Sequence, residues 1–204
     1  MVLDEPFHLF NPYVFKWENE YFMIPESGDG NEIRLYKKIK FPTQWTFVKT
    51  LLKGNHVDPS IFYFNNRWLI FAETNPGRHG TLCLYYADNL LGPWFEHTKN
   101  PIIAGNAHIS GPGGRVILFD GRIIRFAQDD YPIYGNAVRA FEVTELTTKT
   151  YEEKEIPGNP LLKATGRGWN KRGMHHIDPH QLNNGKWIAC VDGFKVSLVF
   201  GINY

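Results

Sequence analysis

Asp58 and Asp178 each stand before a proline, and Glu26 and Glu73 each end an apolar run. Paired carboxyl groups are the chemistry of glycoside hydrolysis. One serves as acid and the other as base or nucleophile, and a separation of roughly 5–5.5 Å or roughly 6.5–9.5 Å sets the stereochemical outcome. Asp58 is the candidate base or charge-tuning carboxylate. Glu26 and Glu73 are candidate acids, because burial beside aromatic residues raises a carboxyl pKa toward neutrality. Asp178 completes the candidate catalytic set. Arg125, Gln128 and Asp129 close another apolar strand and, with Arg172, His56 and His176, are the candidate substrate-binding groups. A sugar asks for such planar donors and acceptors beside aromatic faces. His176, Asp178 and His180 alternate along one strand face, an arrangement that could hold a structural cation. No other cofactor is expected.

Each of these residues has a plainer reading. Asp before Pro caps its own turn through its side chain. A strand-end Glu can pair with Arg67 or Arg125 across blades, and Arg125 itself can sit in an inter-blade salt bridge. A histidine recurs ahead of each repeat (His8, His56, His108 and His176), which is the pattern of a structural latch hydrogen-bonded to nearby backbone.

The elements that must position these groups are written four times. Each copy has an opening, a short apolar strand, a tight turn, and a second apolar strand ending on a polar group. The openings are Asn11-Pro12, Asp58-Pro59, Gly113-Gly114 and Asp178-Pro179, and the terminal polar groups are Glu26, Glu73, Gln128 and Asp192. Alternating apolar residues bounded by turn residues predict β-hairpins, and their repetition predicts the blades of a β-propeller. The expected architecture is all-β, one domain over residues 1–204, with repeats near 7–54, 55–106, 107–165 and 174–204. The fourth repeat has a third strand expected at Lys195–Phe200. Gly113-Gly114 is expected to let the backbone pass closely where the other copies carry Pro. The first strand of each blade lines the channel, so the blade openings converge at one mouth. Residues 1–6 are expected either to close the ring by pairing with repeat four or to be the tail of a missing blade.

Composition narrows the function classes. With 22 Lys and Arg against 21 Asp and Glu, the formal net charge is +1, which gives no electrostatic case for nucleic acid or an anionic membrane surface. No apolar run reaches the ~20 residues of a membrane-spanning helix. The first residues lack the basic and apolar regions of a secretory signal, and Cys83 and Cys190 read as two buried thiols rather than a disulfide. Both point to a cytoplasmic location. Gly-x-Ser-x-Gly, phosphate-loop and Cys-x-x-Cys motifs are absent from the sequence.

The order of Asp-Pro, hairpin, acidic strand end and then Tyr85-Tyr86-Ala87-Asp88 with Leu91-Gly92-Pro93-Trp94 resembles the five-bladed propellers of glycoside hydrolase family 43 and its arabinanase, levansucrase and invertase relatives. Pro6-Phe7-His8, Pro12-Tyr13-Val14-Phe15, Met23-Ile24-Pro25-Glu26-Ser27, Asp58-Pro59-Ser60-Ile61-Phe62 and Arg172 to His180 resemble a narrower group. That group is the N-terminal domain of plant glucosamine inositolphosphorylceramide transferases and its bacterial counterparts. The likeness implies a five-bladed family fold with four blades recognisable here. It also implies a carbohydrate or glycoconjugate as ligand, with a glycosyltransferase, or another chain supplying a blade, as partner. In the group's pattern a further Asp-Pro blade comes first, and in the hydrolases that aspartate is the general base; it has no counterpart in this sequence. Two functions remain in view: glycoside-hydrolase-type binding or hydrolysis at the channel mouth, and a catalytically silent recognition or scaffold propeller.

Overall fold

The computed structural model describes residues 2–74 and 80–197, which form four antiparallel sheets arranged as propeller blades. Blade 1 contains β1 (Phe10–Trp17), β2 (Glu20–Glu26), β3 (Glu32–Lys40) and β4 (Gln44–Lys53) in that order. Blade 2 contains β5 (Val57–Phe64), β6 (Arg67–Glu73) and β7 (Thr81–Ala87), with β8 (Phe95–Glu96) and β9 (Ile103–Ala104) both pairing β7. Blade 3 contains β10 (Ile117–Phe119), β11 (Arg122–Asp129) and β12 (Ala137–Leu146), with β13 (Tyr151–Glu155) and β14 (Leu162–Lys163) both pairing β12. Blade 4 is the hairpin of β15 (Ile177–Gln181) and β16 (Trp187–Val191). Of its expected third strand, residues 195–197 are not in strand and 198–200 lie outside the described residues, as does the Asn75–Arg78 loop.

Alternation along the middle strands builds the core. On β6, Trp68, Ile70 and Ala72 face blade 1, where they pack with Tyr13, Ile24, Ile33 and Leu35. The intervening Leu69 and Phe71 face blade 3 and pack with Val116, Ile123, Val143 and Tyr151. A strand buried on both faces must be apolar at every position, which is why Trp68–Ala72 reads as an unbroken run. Blade 3 meets blade 4 through Ile124, Phe126, Val138 and Ala140 against Ile177.

The junction of blades 3 and 4 depends on glycine. Gly114 forms a parallel bridge with Ile177 at φ +138°, and a Cβ there would lie 1.8 Å from the Ile177 carbonyl oxygen. No side chain fits. Next to it, Arg115 crosses the channel. Its Nε donates to Asp178 Oδ1 at 2.5 Å in blade 4, its Nη2 donates to the Val14 carbonyl at 2.7 Å in blade 1, and its guanidinium lies 4.3 Å from the centre of the Tyr13 ring.

Two expectations change. Residues 2–6 form no strand with blade 4; Glu5 instead accepts from Arg34 and from the Tyr36 hydroxyl, both at 2.7 Å, and so belongs to blade 1. Cys83 is buried, but Cys190 is exposed, because β16 carries its side chains on an open face.

Candidate functional site

The blade openings shape the mouth of the channel. β1 and β5 each carry a register shift at their first residues, and there Asn11 and Asp58 take positive φ, 41° and 51°. Asn and Asp tolerate this conformation better than other residues with a Cβ, and a bulge re-aims the side chain that carries it. Both side chains line a cavity of about 450 Å³ with Phe10, Glu26, Gln128, Tyr134, His175, His176 and Asp192. Asp178, by contrast, pairs in unbroken register with Cys190. The same dipeptide, Asp-Pro, thus takes a bulged form in blade 2 and a regular form in blade 4.

Asp58 and Glu26 line the cavity as neighbouring carboxyls, and the Asp58 amide donates to Glu26 Oε2 at 3.4 Å. Burial, followed by the charge of Glu26, holds the Asp58 carboxyl well above the usual range; burial also raises Glu26. Asp58 therefore gives up its proton less readily than an isolated carboxyl. Gln128, 1% exposed, donates to Asp58 Oδ2 at 2.8 Å and to the Pro112 carbonyl at 2.9 Å. The closely passing Gly111–Gly114 backbone supplies that carbonyl: a Cβ on Gly113 would lie 2.8 Å from the Ala127 carbonyl carbon.

On the opposite wall, Asp192 accepts from the His175 and His176 amides at 3.0 and 2.8 Å, and its other oxygen forms a close ion pair with His175 Nδ1. Burial works against both charges. The contact between the two groups wins, holding Asp192 below its ordinary pKa of 3.8 and His175 above its ordinary 6.5. His176, without such a partner, is lowered by burial. Tyr134 stands 54% exposed with its ring 5.0 Å from that of His175. Its loop is tied down by Asp130, which accepts from the Gly135 amide at 2.7 Å, and by Gly173, where a Cβ would lie 2.0 Å from the Gly135 oxygen.

The other expected site residues lie elsewhere. Glu73 is 3% exposed beneath the mouth and accepts from the Gly80 amide at 3.1 Å, outside the cavity lining. Asp178 is bound by Arg115, and His180 Nε2 lies 3.1 Å from its second oxygen; burial raises its pKa, but these two partners bring it below the ordinary value. That arrangement also answers the cation reading: among the described residues no three His, Cys, Asp or Glu side chains converge to hold a metal ion. Arg125, 1% exposed, donates two hydrogen bonds to Glu153 of its own blade, at 2.8 and 2.6 Å, rather than reaching a ligand or another blade. Asp129 is held by His108 and Arg139, both at 2.8 Å. His56 is a buried latch whose ring nitrogens meet the Gly54 carbonyl and the Tyr85 hydroxyl, each at 3.0 Å, and burial lowers its pKa. Arg172 is exposed outside the cavity lining, and Arg67 pairs with Asp88 at 3.1 Å rather than with a strand-end Glu.

Asp192, His175 and Tyr134 were not among the expected ligands. Asp192 occupies the same repeat position as Glu26 and Gln128, so the periodicity already pointed to it.

Comparison with known proteins agrees with this architecture. The catalytic domain of a Coprinopsis cinerea GH62 α-L-arabinofuranosidase superposes with a TM-score of 0.70 at 14% identity, covering 97% of this chain and 69% of that one. A Xanthomonas citri GH43_1 enzyme complexed with xylotriose gives 0.60 at 11% identity, covering 88% and 65%. Glucosamine inositolphosphorylceramide transferase 1 of Oryza sativa subsp. japonica is 38% identical over 205 residues, 96% of this chain and 27% of the relative. The Arabidopsis thaliana protein is 35% identical over 97% and 26%. The chain thus spans about a quarter of the length of these relatives. The family model for the N-terminal part of glucosamine inositolphosphorylceramide transferase 1 matches residues 1–194, and the chain belongs to that family.

Proposed function

We propose that this domain recognises a glycan or glycoconjugate at the channel mouth and does so without cleaving it, as a companion to a glycosyltransferase. The observation that carries this reading is the Asp58–Glu26 contact. The Asp58 amide donates to Glu26 Oε2 at 3.4 Å, so the two carboxyls are near neighbours in one cavity, whereas the glycosidase mechanisms set their carboxyls roughly 5–5.5 Å or roughly 6.5–9.5 Å apart about the scissile bond. Together they offer a donor and acceptors to sugar hydroxyls. Asp192 is likewise occupied, by His175 and two amides. The exposed Tyr134 ring and the His176 imidazole add an aromatic face and a further polar group.

A second reading, hydrolysis, is favoured by one feature: a protonated Asp58 is the form a general acid requires. A panel of soluble oligosaccharides and aryl glycosides, scored for both binding and product release, separates the two. Recognition predicts saturable binding that Tyr134→Ala weakens at least several-fold, with no product. Product release that Asp58→Asn abolishes would replace recognition with hydrolysis.

A further inference from the structure

The channel has a second end. Beyond the Arg115–Asp178 bar, the first strands of all four blades line another, open cavity of about 450 Å³, which shares no lining residue with the mouth. Its floor is aromatic. Trp17 lies 4.6 Å from Tyr63 at 51° and edge-on to Trp68 at 4.8 Å, and Phe15 adds a ring 5.6 Å from Trp68. Trp187 forms the facing wall and remains 38% exposed. The rim is polar. Lys16 and Gln181 project there, and neither side chain makes a hydrogen bond or ion pair among the described residues. The lining contains no carboxylate, unlike the mouth.

We infer that this far end is a second saccharide site, one that takes a short uncharged oligosaccharide by stacking its C–H faces on Trp17, Tyr63 and Trp187 while Lys16 and Gln181 meet its hydroxyls. The volume lies within the roughly 300–1,000 Å³ of small-ligand sites, and aromatic bodies with a few polar groups at the edge match a ligand that is apolar on its ring faces and polar around them. Arg115 is committed to Asp178 and Val14 and separates the two ends. The far site is therefore independent of the chemistry proposed for the mouth.

Xylotriose and cellotriose, titrated separately against tryptophan emission, test this inference. The expected result is a saturable change in emission with at least one of them. That change persists in an Asp58→Asn, Tyr134→Ala double variant and weakens at least tenfold in Trp187→Ala, whose side chain is exposed enough to remove without unfolding the chain. Trp17→Phe, which keeps a ring, should weaken binding less than Trp187→Ala. A response that the mouth variant abolishes would assign the binding to the mouth. A response unchanged by Trp187→Ala, or none with either sugar, would overturn the second site while leaving the reading of the mouth to its own test.

Discussion

Asp58 concentrates the cost of the site in one residue: a bulged backbone at positive φ and a buried carboxyl facing another carboxyl. Because its folded pKa is raised, the folded state binds more protons than the unfolded chain once the pH exceeds the ordinary value of 3.8. Stability therefore falls as pH rises from there through the raised value. Asn keeps the shape, accepts the Gln128 bond, tolerates positive φ and carries no charge. Asp58→Asn is expected to stabilise the domain by about 1 kcal/mol near neutrality and to flatten its thermal stability as a function of pH. A calorimetric series across pH on both proteins would check this. Asp58, Glu26 and Gln128 were legible as mouth residues because they recur at fixed places in the repeat. Tyr134 was not, because it stands on the loop 130–136, whose sequence does not repeat that of the corresponding loop 27–31 of blade 1. Arg125, Asp129 and His56 lie outside the mouth lining for a common reason. A polar residue in or next to an apolar strand needs a partner, and Glu153, Arg139 and Tyr85 supply it from neighbouring strands.

At the scale of the strands, the hairpins and their two-sided burial follow from alternation and turn residues, and these were readable. What alternation does not encode is the bulge. Asn11 and Asp58 shift register while Asp178 does not, although two of the three share an Asp-Pro step. The side-chain partners differ as well, Gln128 for Asp58 and Arg115 for Asp178. Blade 3 has its own polar lock, in which Arg125 of β11 holds Glu153 of β13 and the Tyr151 hydroxyl donates to the same carboxylate at 2.5 Å. Removing one partner of a buried ion pair strands the other. Arg125→Met should thus cost about 3–5 kcal/mol, and the double variant Arg125→Met, Glu153→Gln should recover most of it. Chemical denaturation of the set reads both effects.

Across the whole molecule, the four blades are joined by successive apolar interfaces, and the short blade 4 is also tied to blade 3 by the Gly114–Ile177 bridge and by Arg115. Ala at position 114 meets the Ile177 oxygen at a distance no relaxation of one side chain can relieve. Gly114→Ala is therefore expected to loosen β15 and β16 first, seen as faster amide exchange there than in β6 and β7. This closure could not be read from periodicity, because Arg115 stands in the third repeat where the first two carry Tyr13 and Ser60, and its partners, Val14 and Asp178, belong to the first and last blades. The central claim concerns what the mouth does once the blades have assembled it. An NMR time course with a soluble oligosaccharide reports binding and cleavage together. Recognition predicts ligand signals that broaden on adding the protein, sharpen again with Tyr134→Ala, and show no new reducing-end resonances. New reducing-end resonances that disappear with Asp58→Asn would contradict it and make the mouth a hydrolytic active site.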